Sequence, residues 1–268
     1  MINEEHMCVY ISSPKCYSDV LNVFLLCKKK FWKDCPFPTI ISTNYNLYTS
    51  DAYVINSENV NDSWVERSLG ALKQIEYKYV LLLCDDMFIS KRIDNQKIKE
   101  IVDYMELHNI NFCRLNPLHR GKKIDELPYI NYVNQNTPYG INLQFGIFRR
   151  EYLISLLGDG SQSAWDIEGK LLEQARNAGD IPFEDIISCN MNVLPVIHGI
   201  EKGKWFPSAI KKLSKVGIEV AKSREIISRP IEIKQNVITY LSSHTTPQSR
   251  KRMKMIAQKV GFKFTNKD

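Results

Sequence analysis

The stretch that most constrains this chain is Lys78-Tyr79-Val80-Leu81-Leu82-Leu83-Cys84-Asp85-Asp86-Met87-Phe88. An unbroken apolar run this short, bounded by polar residues, reads as a strand buried on both faces, so its sheet needs cover on each side. Asp85 and Asp86 then fall at the C-terminal end of the strand, the edge at which open α/β sheets bind ligands. Adjacent carboxylates repel, and burying them is costly unless a cation or hydrogen-bond donors face them. A divalent metal with a diphosphate meets that need. Solvated aspartates at an ordinary strand exit are the plain alternative.

The residues before this run supply the rest of such a sheet. Cys8 to Ile11 form a short apolar strand that ends in Ser12, Ser13 and Pro14. Val20, Val23, Phe24, Cys27 and Phe31 recur at helical spacing over residues 16–33, and Pro36 and Pro38 stop that helix. Thr39 to Asn44 is the next strand, making a β-α-β unit that favours a right-handed crossover and a parallel pair. Ser12, Ser13 and Asn44 then share a sheet edge with Asp85, as contacts to a base or ribose or as plain turn formers. Ala52 to Ile55 is a weaker strand, and Asn61 or Asp62 caps a helix from Ser63 to Ile75 with Trp64, Leu69, Leu72 and Ile75 inward. No strand is followed by G-x-G-x-x-G or G-K-[ST], which argues against a dinucleotide-binding Rossmann domain and against a P-loop.

Beyond Phe88, a helix opens at Asp94, and Asn111 to Asn116 is a strand carrying Arg114, a candidate phosphate or carboxylate ligand. Residues 117–136 read as a long irregular basic loop, a covering element or bland surface. Tyr139 to Phe148, which includes Gln144, alternates as a strand, followed by a helix from Arg150 to Leu157. Trp165, Asp166 and Glu168 lead into a helix from Glu168 to Ala178, where acidic residues also suit the helix dipole. A late strand ends at His198, a third metal ligand or a filler, and Lys204 beyond it can neutralise a phosphate.

Charge is unevenly spread. From Phe206 onward there are 14 Lys and Arg against 4 Asp and Glu, while the first 205 residues carry 22 against 26. The basic C-terminus suits an anionic membrane surface or stands as a solvated pair of helices; nucleic acid is not expected as a partner. No apolar run reaches the ~18 residues of a membrane span. The first residues lack the apolar core of a signal peptide, so a cytoplasmic location is expected. The cysteines include no C-x-x-C pair and read as reduced, mostly buried thiols.

Taken in order, Tyr79 to Phe88, the Gln144 strand, Trp165-Asp166-Ile167-Glu168 and Gly203-Lys204-Trp205 resemble nucleotide-sugar-dependent glycosyltransferases of GT-A architecture. More narrowly, they are similar to bacterial surface-polysaccharide transferases, the makers of capsule and O-antigen. The resemblance covers residues 8 to 206. It implies an α/β fold with a mostly parallel, Rossmann-like central sheet flanked by helices, as a catalytic domain over 1–205; the basic helical extension over 206–268 lies outside it. It implies that Asp85 binds the nucleotide sugar; Ser12, Ser13, Asn44, Arg114, Gln144, Trp165 and Lys204 are the further candidates for that contact. Glu168, or Asp166 beside it, would deprotonate the acceptor hydroxyl of an inverting reaction. Asp86, Asp85 and His198 would hold Mg²⁺ or Mn²⁺. Met87 departs from the D-x-D pattern of the family, which leaves metal-independent transfer open. The implied partners are a nucleotide-sugar donor and a glycan or lipid-linked acceptor, met at the inner face of the membrane. A nucleotidyltransferase acting on a sugar phosphate, and a non-catalytic assembly protein on the same scaffold, are the alternatives.

Overall fold

The computed structural model describes residues 6–57, 59–118, 121–221 and 223–233. His119 and Arg120 of the expected basic loop, and the expected final helix from Arg250, lie outside them. So does most of the basic C-terminus. The chain divides into two compact units, Met1–Gly199 and Ile200–Asp268.

The first unit is built on a nine-stranded sheet in the order β3-β2-β1-β4-β9-β6-β10-β8-β7. Its parallel half comprises β1 (Met7–Ser12), β2 (Thr39–Thr43), β3 (Tyr53–Asn56) and β4 (Tyr79–Leu83). Helix α1 (Ser18–Phe31) links β1 to β2, and α2 (Trp64–Leu72) links β3 to β4. The chain moves outward from β1 through β2 to β3, then returns to place β4 on the other side of β1. That reversal between β1 and β4 is a topological switch point, where strand ends leave a crevice. Every residue of β1, β2 and β4 is buried, which accounts for the continuous apolar character of β4. Cys8, Tyr10, Val80 and Leu82 join a cluster with α2, α4 (Arg150–Leu157) and α5 (Ala164–Asn177). The alternate residues Val9, Ile11, Leu81 and Leu83 are equally buried on the opposite face. The expected α/β class with a mostly parallel sheet flanked by helices is the observed one.

After β4 come β5 (Met87–Ile89), which pairs with β11 (Val196–His198) in a small separate ladder, and α3 (Asn95–Leu107), capped by Asp94. The other half of the main sheet holds β6 (Phe112–Arg114), β7 (Lys122–Lys123), β8 (Ile130–Asn134), β9 (Gly146–Arg149) and β10 (Pro182–Cys189). Strands β8 and β9 run against the other strands of the sheet.

Three local expectations are corrected. The stretch 117–136 contains strands, because Ile130–Asn134 finds its partner in β10 some fifty residues on, and β10 itself is bulged between Pro182 and Ile187. The strand expected over Tyr139 to Phe148 shrinks to Gly146–Arg149: Tyr139 takes a left-handed φ of 55°, and the N–H groups of Leu143 and Gln144 donate to Glu168 and Asn142 side chains, not to a ladder. Helix α2 is capped by Ser63, not Asn61 or Asp62, through a reciprocal capping box with Glu66.

Strand β9 enters between β4 and β6 with Gly146 opposite Leu82 and Arg114. A Cβ at Gly146 would overlap the Phe112 ring and stand 2.8 Å from the Cys113 carbonyl oxygen. Backbone cannot yield as a flexible side chain can. Gly146→Ala is therefore expected to lower unfolding free energy by about 1–3 kcal/mol, measured by denaturant titration; an unchanged midpoint would contradict this close approach.

The second unit begins with the hairpin of β12 (Ile200–Glu201) and β13 (Lys204–Trp205), turned at Lys202 and Gly203 with positive φ. Helix α6 (Pro207–Lys215) follows, with proline at its start and Ala209 and Leu213 buried. Among the described residues no helix is long and apolar enough to cross a membrane.

Candidate functional site

The switch point between β1 and β4 opens into a cleft of about 450 Å³. Ser12 and Pro14 leave the end of β1 there, and Cys84, Asp85 and Asp86 leave the end of β4. Asp62, Trp64 and Arg67 reach the cleft from around the start of α2, and Gln144, Trp165 and Glu168 from the far wall. Asp86 and Glu168 thus line the same cavity.

Each carboxylate has a distinct setting. Asp85 is buried, and its Oδ2 accepts a 2.5 Å hydrogen bond from the Ser13 hydroxyl. Asp86 is more open; its Oδ2 lies 3.7 Å from His198 Nε2. The β5–β11 ladder makes this approach, pairing Met87 with His198, and Gly199 N–H donates to the Asp86 carbonyl at 2.9 Å. Glu168 is only 8% exposed, and its Oε1 accepts the Leu143 N–H at 2.8 Å. Burial pushes its carboxyl above the usual range, opposed by the Leu143 N–H and by the charge of Arg114. A carboxyl so placed binds a proton more readily than an exposed one.

Asp166 has a different task. It is exposed, and its carboxylate accepts from the backbone N–H and hydroxyl of Ser163 at 3.0 and 2.6 Å, closing the capping box of α5. These bonds hold its carboxyl below the usual range. Helix α5 begins at Ala164, not Glu168. Residues three apart share a helix face, so Trp165 and Glu168 look into the cleft together while Asp166 is turned away. Trp165 is 80% exposed, an open aromatic surface at the rim.

Arg67 was passed over in the sequence. Only 4% exposed, it donates from Nε to Ser12 Oγ at 3.0 Å and from Nη1 to the Asp62 carbonyl at 3.1 Å. Burial pulls its guanidinium below its ordinary range, and Tyr10, Asp85 and Asp62 counter that pull. Its signal was present: Trp64, Arg67, Ser68 and Ala71 follow i, i+3, i+4, i+7 spacing, which places an arginine on the sheet-facing stripe.

The other expected site residues separate. Asn44 leaves β2 beside a second depression of about 990 Å³, lined also by Lys15, Tyr45 and Asn56 and sharing Pro14 with the cleft. Its amide accepts from Lys15 N–H at 2.8 Å and donates to the Val60 carbonyl at 2.6 Å, so it shapes the wall. Gln144 lines the cleft, and its carbonyl accepts the Cys84 thiol. Arg114, expected among the donor ligands, does not line the cleft; it donates instead to the carbonyls of Asn116 and Tyr139. Lys204 belongs to the second unit, where it pairs with Glu225 at 2.6 Å.

Among the described residues no group of three or more His, Cys, Asp or Glu side chains is arranged to hold a metal ion by itself. The cleft is nevertheless acidic: among the described residues Asp62, Asp85, Asp86 and Glu168 line it against the guanidinium of Arg67.

No protein-family model matches the chain, and no curated protein does. Among solved structures it is similar to S. aureus TarS 1-349, at 15% identity over 68% of this chain and 60% of that one, with a TM-score of 0.38. It is similar also to the mannosyltransferase PcManGT from Pyrobaculum calidifontis in complex with GDP-Man and Mn2+, at 10% identity over 74% and 58% of the two chains (TM-score 0.44). A third is a nucleotidyl transferase from Methanothermobacter thermautotroptrophicus, at 10% identity over 63% and 82% (TM-score 0.40). The chain spans less than two thirds of the TarS chains it matches, from 36% to 65% of their length.

Proposed function

We propose that this chain is a nucleotide-sugar-dependent glycosyltransferase, acting on a glycan or lipid-linked acceptor of bacterial surface polysaccharide. The observation that carries the reading is that Asp86 and Glu168 line one cleft at the switch point of the sheet. The nucleoside would occupy the depression beside Asn44 and Tyr45, and the diphosphate would lie over the ends of β1 and β4. Trp165 offers its face to a sugar.

In the transfer, Glu168 takes the proton of the acceptor hydroxyl as that oxygen bonds to the anomeric carbon. The bond from that carbon to the phosphate oxygen breaks, and the nucleoside diphosphate departs with the electron pair. Attack from the face opposite the diphosphate gives inversion. Arg67 stands where negative charge collects on the leaving group.

A dianionic donor entering so acidic a cleft needs a further cation. Hard oxygen donors suit Mg²⁺ or Mn²⁺, which keep open positions for substrate phosphates instead of demanding a full protein cage. Asp86 with His198, and Asp85 behind them, are the residues that would hold it, and it would neutralise charge on the diphosphate. The basic C-terminus would keep the enzyme at an anionic membrane surface on the cytoplasmic side.

The test is incubation with UDP-, GDP-, dTDP- and CMP-sugars, with and without Mn²⁺, read by thermal stabilisation and donor hydrolysis. One nucleotide sugar should raise the unfolding temperature and be slowly hydrolysed. Stabilisation by nucleoside triphosphates instead would point to nucleotidyl transfer, and silence to every nucleotide would refute both.

A further inference from the structure

Arg114 stands at the end of β6, opposite Gly146 of β9. Its Nε donates to the Asn116 carbonyl at 3.3 Å and its Nη1 to the Tyr139 carbonyl. Tyr139 has a φ of 55°, a left-handed conformation that a bulky residue keeps only where its surroundings hold it. A few residues on, the same segment grips the cleft. Leu143 N–H donates to Glu168, Gln144 N–H donates to Asn142 Oδ1 at 3.1 Å, and the Gln144 carbonyl accepts the Cys84 thiol at 2.8 Å. Residues 139–144 therefore form a strap, anchored at one end by a guanidinium and at the other by the Glu168 carboxylate.

We propose that Arg114 is a positioning residue of the transfer reaction, which fixes the 139–144 strap and through it keeps Glu168 aimed at the acceptor hydroxyl. This rests on the reading of Glu168 as the base. Burial is what works against its carboxylate, and the side chains around it carry both signs. Cys84, Asp85 and Asp86 come from the end of β4, and Asp62 lines the same cleft beside Arg67. Asp166 and Lys170 share its own helix. Arg114 is the cation whose charge acts on Glu168 to lower its carboxyl range. An arginine suits the place because its planar fork serves two carbonyls while its charge is permanent.

The experiment compares pH–rate profiles for hydrolysis of whichever UDP-, GDP-, dTDP- or CMP-sugar stabilises the protein most, in wild type, Arg114→Gln, Arg114→Lys and Glu168→Gln. In Arg114→Gln the acidic limb of kcat should move to higher pH by about one unit, with donor KM within about twofold of wild type. Arg114→Lys keeps the charge and loses the fork. Its limb should stay in place while its plateau falls several-fold. A limb unmoved in Arg114→Gln would overturn the proposal, and a wild-type plateau in Arg114→Lys would overturn it even if the glutamine variant failed to fold. Wild-type turnover by Glu168→Gln would instead remove the base assignment, a separate outcome.

Discussion

Replacing Asp86 with alanine is expected to abolish sugar transfer while leaving the protein folded. Asp86 lies at the mouth of the switch-point cleft, 3.7 Å from His198. Its neighbour Asp85 is tied to Ser13 deeper in the sheet. In the proposed reading Asp86 is the carboxylate that would meet a diphosphate-bound cation. Removal of one group that stabilises leaving-group charge typically costs ~10²–10³-fold in turnover. The cost to stability should be below about 1 kcal/mol, since the His198 contact is part-exposed and such pairs contribute little. Turnover would be followed by release of nucleoside diphosphate at saturating donor, and folding by thermal unfolding. Retained turnover in Asp86→Ala would remove the metal-site assignment.

Glu168→Gln should separate binding from chemistry. Glutamine keeps the carbonyl-type oxygen that accepts the Leu143 N–H, so the wall of the cleft keeps its form. It cannot take a proton, and loss of a general base costs typically ~10²–10⁴-fold. Donor affinity, measured by calorimetry, should be little changed. The pH dependence has a definite sign. Burial raises the Glu168 carboxyl, and in the proposed transfer the ionised form is the active one. Wild-type kcat should therefore rise with pH through a limb placed above the ordinary carboxylate range. The same burial disfavours the charged state of the folded protein, so this group's contribution to stability is fully present at low pH and falls as pH rises through its raised pKa. Glu168→Gln should accordingly be no less stable than wild type near neutral pH. A variant that binds donor and turns over at the wild-type rate would exclude Glu168 as the base.

What could be read along the chain was what neighbouring residues determine together. Val80 to Leu83 is apolar without alternation, which only a strand covered on both faces tolerates, and the aspartates after it then fall at its C-terminal end. Helices α1, α3 and α4 follow from periodicity and from their stops or caps, as with Asp94 before α3. The helical period alone could also have separated Asp166 from Glu168, since residues two apart point nearly opposite ways. Arg67 was hidden for a related reason: attention to apolar residues on α2 passes over a charged one on the same face.

Other features had no local signature. Strand β8 is short and half polar, and its partner β10 comes much later and carries a bulge, so neither is distinct until they pair. The insertion of β9 between β4 and β6 depends on Gly146 letting two backbones approach, a fact about its neighbours in space. The carbonyl partners of Arg114 have no local signature for the same reason. A guanidinium at a strand end suits phosphate or carbonyl oxygen equally well, and only the fold of residues 139–144 brings the Tyr139 carbonyl to it.

The sequence by itself determined the parallel strands, the position of Asp85 and Asp86 at one rim, and the helices that follow from period and caps, because propensity, burial pattern and capping act within a few residues. Only the tertiary structure decided that β4 returns to the other side of β1, that Arg67 and Glu168 share the cleft opened there, and that Asp166 stands outside it. Those outcomes depend on contacts between segments far apart in the chain, whose free energy exists only once the sheet has closed around them.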